Sequence, residues 1–292
     1  MLLAIFSICV ILNHKHNKSG DDYMFLTKKA LKKIKLLVGV YCGLGAFCLI
    51  MSIVFVCLNM EIKFLIILGV LALFLGFVFN KFGRYAEGKG KLLNLGNKLV
   101  LHQLRPAEFV RLYEQARDCP DNVVSEPDFD VLKMLVTAYD AMGEVDLMLE
   151  VIEQMLSSFD GSRQAQARLL KSSVLFDMGK IEEAEKLYSE VLNSKMDFIT
   201  KSILDDVMKT ERAIALEDFT TAEAKLKASL EIPRYNKIPL MTLYLRMDLG
   251  KVYCKTNRFD EAKDCLKYCI ENSGETNIKS SAENMMREYN LI

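Results

Sequence analysis

The stretch Leu249–Ile270, LGKVYCKTNRFDEAKDCLKYCI, constrains the fold more than any other part of the chain. Apolar residues recur at helical spacing on both sides of a polar turn at Thr256-Asn257-Arg258, which predicts two short amphipathic helices. Gly250 precedes Tyr253 by three residues, and Ala262 precedes Leu266 by four. Small residues at fixed offsets from large ones let two helices cross closely and fill each other's gaps. No segment of the chain shows the period-two alternation of a strand, so almost no sheet is expected.

Earlier segments echo this pattern. Taken together they resemble the tetratricopeptide repeat, a helix-turn-helix unit of about 34 residues, over residues 89–276. Unit one, 89–122, has Leu92, Leu95, Gly96 and Leu99 in register, with Pro106 where the second helix begins and Pro120 at its end. Glu108 stands where the family has alanine, and two readings stay open for the Leu-rich first helix: a repeat helix, or a helix on a membrane surface beside Lys89, Lys91 and Lys98. Unit two, 129–162, carries Leu132, Leu135, Tyr139 and Gly143, with Met148 in place of alanine. Unit three, 165–198, carries Ser172, Gly179, Ala184 and Tyr188. Unit four, 203–236, keeps Phe219, Ala222, Leu226 and Leu230 and closes at Pro233. Unit five, 243–276, is the opening stretch, and a final helix near Asn277–Tyr289 reads as a polar cap. The units start 40, 36, 38 and 40 residues apart, so the inter-unit turns vary in length.

The N-terminal part is of another kind. Leu36–Leu58 is 23 residues without a charge, and Phe64–Phe79 is a second apolar run of 16. About 20 such residues cross a bilayer, so the pair reads as a transmembrane helical hairpin at 36–80. Lys28, Lys29, Lys32, Lys33 and Lys35 precede it, and Lys81, Arg84, Lys89 and Lys91 follow it. The positive-inside bias then places both ends in the cytoplasm of a multi-pass cell-membrane protein. Gly39/Gly43 and Ala72/Gly76 are small-xxx-small pairs that suit packing within the hairpin or a homo-oligomer contact. The apolar stub Met1–Leu12 and the linker after it lack a signal-peptide pattern, and Met24 offers an alternative start. The expected fold class is therefore all-α, a transmembrane hairpin followed by a tetratricopeptide-like α-solenoid with a capping helix. Its parts are an N-terminal segment at 1–35, the hairpin at 36–80, membrane-proximal helices at 81–128 (a divergent first repeat) and the repeat domain at 129–292.

Chemistry is sparse. Residues 81–292 hold 30 Lys/Arg against 35 Asp/Glu, a mildly acidic balance that argues against nucleic-acid binding. No phosphate loop, HExxH or GxSxG occurs. Cys265 and Cys269 lie one helical turn apart but lack two further metal ligands at matching spacing, and they read as small packing residues. The reading is of a protein that is not an enzyme and needs no cofactor or metal.

A binding surface remains. The resemblance implies that the first helices of successive units line a concave groove. Carried onto this chain, that groove holds Asp130, Lys133, Thr137 and Asp140 in unit two, then Gln166, Leu169, Ser173, Phe176 and Asp177 in unit three. Unit four adds Leu204, Val207, Glu211 and Ile214, and unit five adds Tyr244, Met247, Lys251 and Lys255. The mixture suits an extended or helical peptide held by apolar pockets, with charges fixing its register. The lysine-asparagine clamp that some family members use for a C-terminal carboxylate is absent, since Lys133 alone matches it. The expected function is a membrane-tethered scaffold that binds a protein or peptide partner on the cytoplasmic side, with the bilayer as a second partner. Two alternatives are an envelope-assembly chaperone with the repeats facing outward, and an accessory subunit of a membrane transporter or enzyme acting through the hairpin.

Overall fold

The computed structural model of the chain describes residues 88–118, 128–193 and 208–291, together with Val70, Leu71, Leu73 and Phe74. Among the described residues every regular element is helical and there is no strand. Helix α1, 88–96, runs without a break into a π-helical stretch, Asn97–His102. It is followed by α2 (Pro106–Arg117), α3 (Phe129–Met142), α4 (Val145–Ser158), α5 (Gly161–Asp177) and α6 (Ile181–Leu192). Then come α7 (208–215), α8 (Phe219–Leu230), the single turn α9 (Pro233–Asn236), α10 (Pro239–Lys255), α11 (Phe259–Asn272) and α12 (Ile278–Glu288).

The expected fold class needs correction. No described helix is long and apolar enough to cross a membrane, so the fold is an all-α, solenoid-like array without a transmembrane hairpin among the described residues. The stretch 36–80 lies outside the described residues apart from Val70, Leu71, Leu73 and Phe74. The same holds for the stub at 1–12, the linker and Met24.

The chain forms two compact units. The described part of the larger one is 93–114, 128–193 and 208–291, and all that follows concerns it. In the smaller one, described at 88–92, 115–118 and the four residues near 70, Leu92 and Ala116 are buried.

Local chemistry sets the helix ends of the larger unit. Asp128 caps α3 by accepting hydrogen bonds from the backbone N–H groups of Asp130 and Val131 at 3.1 and 3.2 Å. Gly143 ends α3 in the left-handed region, at φ 78°. Pro106, Pro233 and Pro239 each begin a helix, where a missing N–H costs nothing. The extra turn α9 takes up the wider spacing between units four and five.

Packing follows the pairs of helices. α3 packs on α4, α5 on α6 and α10 on α11, while α4 meets α5 and α8 meets α10 between units. A Cβ placed at Gly250 would lie 2.9 Å from Cδ2 of the fully buried Leu266, so the α10–α11 crossing is as close as a glycine permits. In unit three the equivalent crossing is fastened by Ser172, whose Oγ donates to the carbonyl of Ala184 at 2.8 Å. Cys254, Cys265 and Cys269 are buried here as packing groups, and burial pushes the Cys269 thiol up to about 12. The π-helical stretch packs against both α3 and α10, with Leu99 and Val100 fully buried. Leu99, Val100 and Leu101 of this apolar stretch are thus part of the core of the array.

The array also closes. The loop after α11 reaches back to its beginning. The Glu275 N–H donates to the carbonyl of Leu104 at 2.9 Å, and the Asn277 N–H donates to that of Ala141 at 2.8 Å. Leu104 and Gly274 both adopt left-handed backbone, at φ 57° and 58°. A Cβ on Gly274 would meet that of Leu104 at 2.7 Å, so only glycine fits there.

Gly250→Val is expected to lower the unfolding free energy by about 2 kcal/mol through overpacking against Leu266. Urea titration reads this as a lower midpoint at unchanged slope. An unchanged midpoint would contradict the close crossing.

Candidate functional site

A face of α3 repeats at i, i+4 and i+7 as Lys133, Thr137 and Asp140, and a face of α10 repeats likewise as Tyr244, Asp248 and Lys251. Closure of the array brings the ends of these two faces together with Asp177 at the end of α5. The result is a pocket of about 340 Å³, walled on its remaining side by Asn277, Ile278 and Met285 from the closing loop and α12.

The pocket is polar where it is deepest. Asp140 Oδ2 and Tyr244 Oη have no solvent exposure and make no well-formed hydrogen bond, although the two side chains face each other and the Tyr244 hydroxyl is the near donor to the Asp140 carboxyl. Burial pushes the Asp140 carboxyl up to about 7, with repulsion from Asp177 and Glu211 adding to the rise. Burial pushes Asp248 up to about 6, repulsion from Asp177 adds to it, and the Lys251 ammonium opposes it. Glu211 on α7 is raised in the same direction by burial and by Asp177, and it accepts a hydrogen bond from the buried Ser173 hydroxyl. Burial, then the charge on Asp140, hold the Tyr244 phenol well above its ordinary range. Four carboxyl groups from four helices therefore repel one another where water is scarce.

The residues expected to line a groove separate into two sets. Asp140, Asp177, Tyr244, Met247 and Lys251 line the pocket. Lys133, Thr137, Leu169, Ser173 and Phe176 are instead buried within the array, none more than 5% exposed. The Lys133 ammonium lies 3.6 Å from Asp130 and 5.4 Å from the centre of the Phe129 ring, an ion pair and a cation–π contact without a direct hydrogen bond. Thr137 returns its hydroxyl to the Lys133 carbonyl at 3.0 Å. Asp130 and Gln166 are half-buried outside the pocket lining, and Lys255 is exposed at the end of α10. In unit four, Glu211 is buried and Ile214 half-buried, while Leu204 and Val207 lie outside the described residues.

Sequence reasoning missed Asp248, Asn277, Ile278 and Met285. Asp248 carries a signal: it is the one carboxylate within Pro239–Lys255, one turn from Tyr244. The other three come from a loop and helix far away in sequence. A second, more open hollow of about 440 Å³ lies beside the closing loop, and Glu144, Glu275 and Lys279 there are exposed. Among the described residues no group of three His, Cys, Asp or Glu side chains is placed to hold a metal ion.

Comparison with protein-family models, with curated proteins and with solved structures finds no match.

The raised carboxyls make stability depend on pH in a defined direction. A carboxyl raised on folding holds its proton more tightly in the folded chain. Its stabilising contribution is complete below the ordinary value of 3.8 and is lost as pH rises through the folded value, about 7 for Asp140. Asp140→Asn is therefore expected to be more stable than the parent at pH 8, by on the order of 2 kcal/mol, and nearly equal to it at about pH 3.5. Denaturant titrations at the two pH values check this, and equal stability at both would contradict the buried placement of Asp140.

Proposed function

We propose that this chain is a helical-repeat interaction module that holds a segment of a partner protein in the pocket between α3, α5, α10 and α12. The observation that carries this reading is the pair of buried polar atoms in it, Asp140 Oδ2 and Tyr244 Oη, which face each other without a well-formed hydrogen bond. An unmet polar atom away from water costs about 1–3 kcal/mol. A guest that supplies the missing partner recovers that cost, which makes the pocket a place where binding energy is stored.

The pattern of helix pairs supports the same reading. In the repeat family that the sequence resembles, first helices of successive units form the binding face, and here α3, α5 and α10 are the first helices of units two, three and five. Met247 adds an apolar contact beside the charges, as peptide grooves use to combine affinity with register. A pocket of about 340 Å³ accepts a side chain or two of a guest, not a folded domain, so the bound element is a short segment.

The test is site-specific photocrosslinking of the full chain in its native host. Met247 is replaced by p-benzoylphenylalanine, with exposed Glu182 on α6 replaced as the control. A protein adduct that forms from position 247 and not from 182 is expected. Adducts from both positions, or from neither, would contradict the proposal.

A further inference from the structure

We infer that the guest segment places one lysine or arginine side chain in this pocket, an inference that rests on the peptide-binding reading above. Three carboxylates, Asp140, Asp177 and Asp248, line the pocket together with the ammonium of Lys251, and Glu211 adds a fourth carboxyl close by. The buried oxygens Asp140 Oδ2 and Tyr244 Oη have acceptor capacity to spare: an ionised carboxylate is acceptor-only, and the phenol oxygen retains lone pairs. An ammonium brings three donors and a guanidinium five, so either satisfies several of these oxygens at once.

The apolar part of the lining fits the rest of such a side chain. Met247, Ile278 and Met285 present apolar surface at the pocket's side. Lysine and arginine bury their methylene stems along apolar surface while the charged head reaches polar groups. A small inorganic cation fits less well, because no three carboxyl, thiol or imidazole groups among the described residues converge tightly enough to hold a metal ion. The carboxylates are spread around a cavity, which suits a larger cation with several donors. An acidic guest is disfavoured outright, since each added negative charge repels the carboxylates already there.

The geometry also assigns a role to Lys251. It lies one turn beyond Asp248 on α10 and lowers that carboxyl's proton affinity, so it is a counter-charge held by the pocket itself. A guest cation competes with it.

The experiment is selection of a displayed random peptide library on the full chain, run in parallel on an Asp140→Asn/Asp248→Asn chain and on an exposed control, Glu150→Gln on α4. Circular dichroism confirms that each chain is folded. Peptides enriched on the parent are expected to share lysine or arginine at one fixed position. Replacing that residue by norleucine in a synthetic copy is expected to weaken binding about 10-fold, the scale of one charge-assisted hydrogen bond. The double variant loses the preference and the Glu150 control keeps it, while Lys251→Met tightens binding of the lysine peptide. Enriched peptides without a fixed basic residue, or a basic preference that survives in the double variant, would overturn this inference and leave peptide binding intact. Enrichment of no peptide at all would overturn both.

Discussion

The site depends on a non-local closure. Two backbone hydrogen bonds, from Glu275 to Leu104 and from Asn277 to Ala141, bring the loop after α11 onto the start of the array. The pocket has carboxylates from α3, α5 and α10 on one side and Asn277, Ile278 and Met285 on the other. Without the closure the second wall leaves, and the carboxylates face open water. Their repulsion then falls steeply, because charges in solvent are screened and those in a recess are not. Leu104 holds a left-handed backbone at this junction, a conformation that costs a non-glycine residue about 1–2 kcal/mol. The surrounding packing must exceed that cost.

The polar content of the pocket fits poorly with stability and well with binding. An array built for stability alone would place apolar residues where Asp140, Glu211 and Asp248 sit. Local departures of this kind are common where a chain binds something, since unmet groups are kept for a guest. The same trade is absent at the helix crossings. There Gly250 meets Leu266 and Ser172 meets the Ala184 carbonyl, with each group satisfied. Between units four and five, Arg258 bridges Glu223 and Glu261 while covering the Tyr253 ring at 4.4 Å. These contacts make a stiff frame, and in the pocket buried polar groups of that frame are left without a well-formed partner.

Much of the frame is legible in the sequence because its determinants are local. Small residues at Gly250, Ala262 and Ala184 mark crossings by spacing alone, and prolines at 106 and 239 mark helix starts. The pocket is legible in part: Asp140, Asp177, Tyr244 and Lys251 are among the groove positions that the family resemblance implies. Lys133 and Phe176 fall on the same faces yet are buried, since the face of a helix is fixed by periodicity and the depth of a residue along it is not. The closing loop is not legible at all, because it joins residues more than a hundred positions apart through backbone atoms that carry no sequence signature. The transmembrane hairpin was read from apolar length, and no described helix has that character.

The most direct measurement is native-state hydrogen exchange of the Glu275 and Asn277 amides. Closure of the array predicts that both exchange only through large-scale opening, on the timescale of the buried amides of α10. Exchange as fast as that of an unstructured loop would show that the array is open, and the pocket would lose the wall that Asn277, Ile278 and Met285 provide.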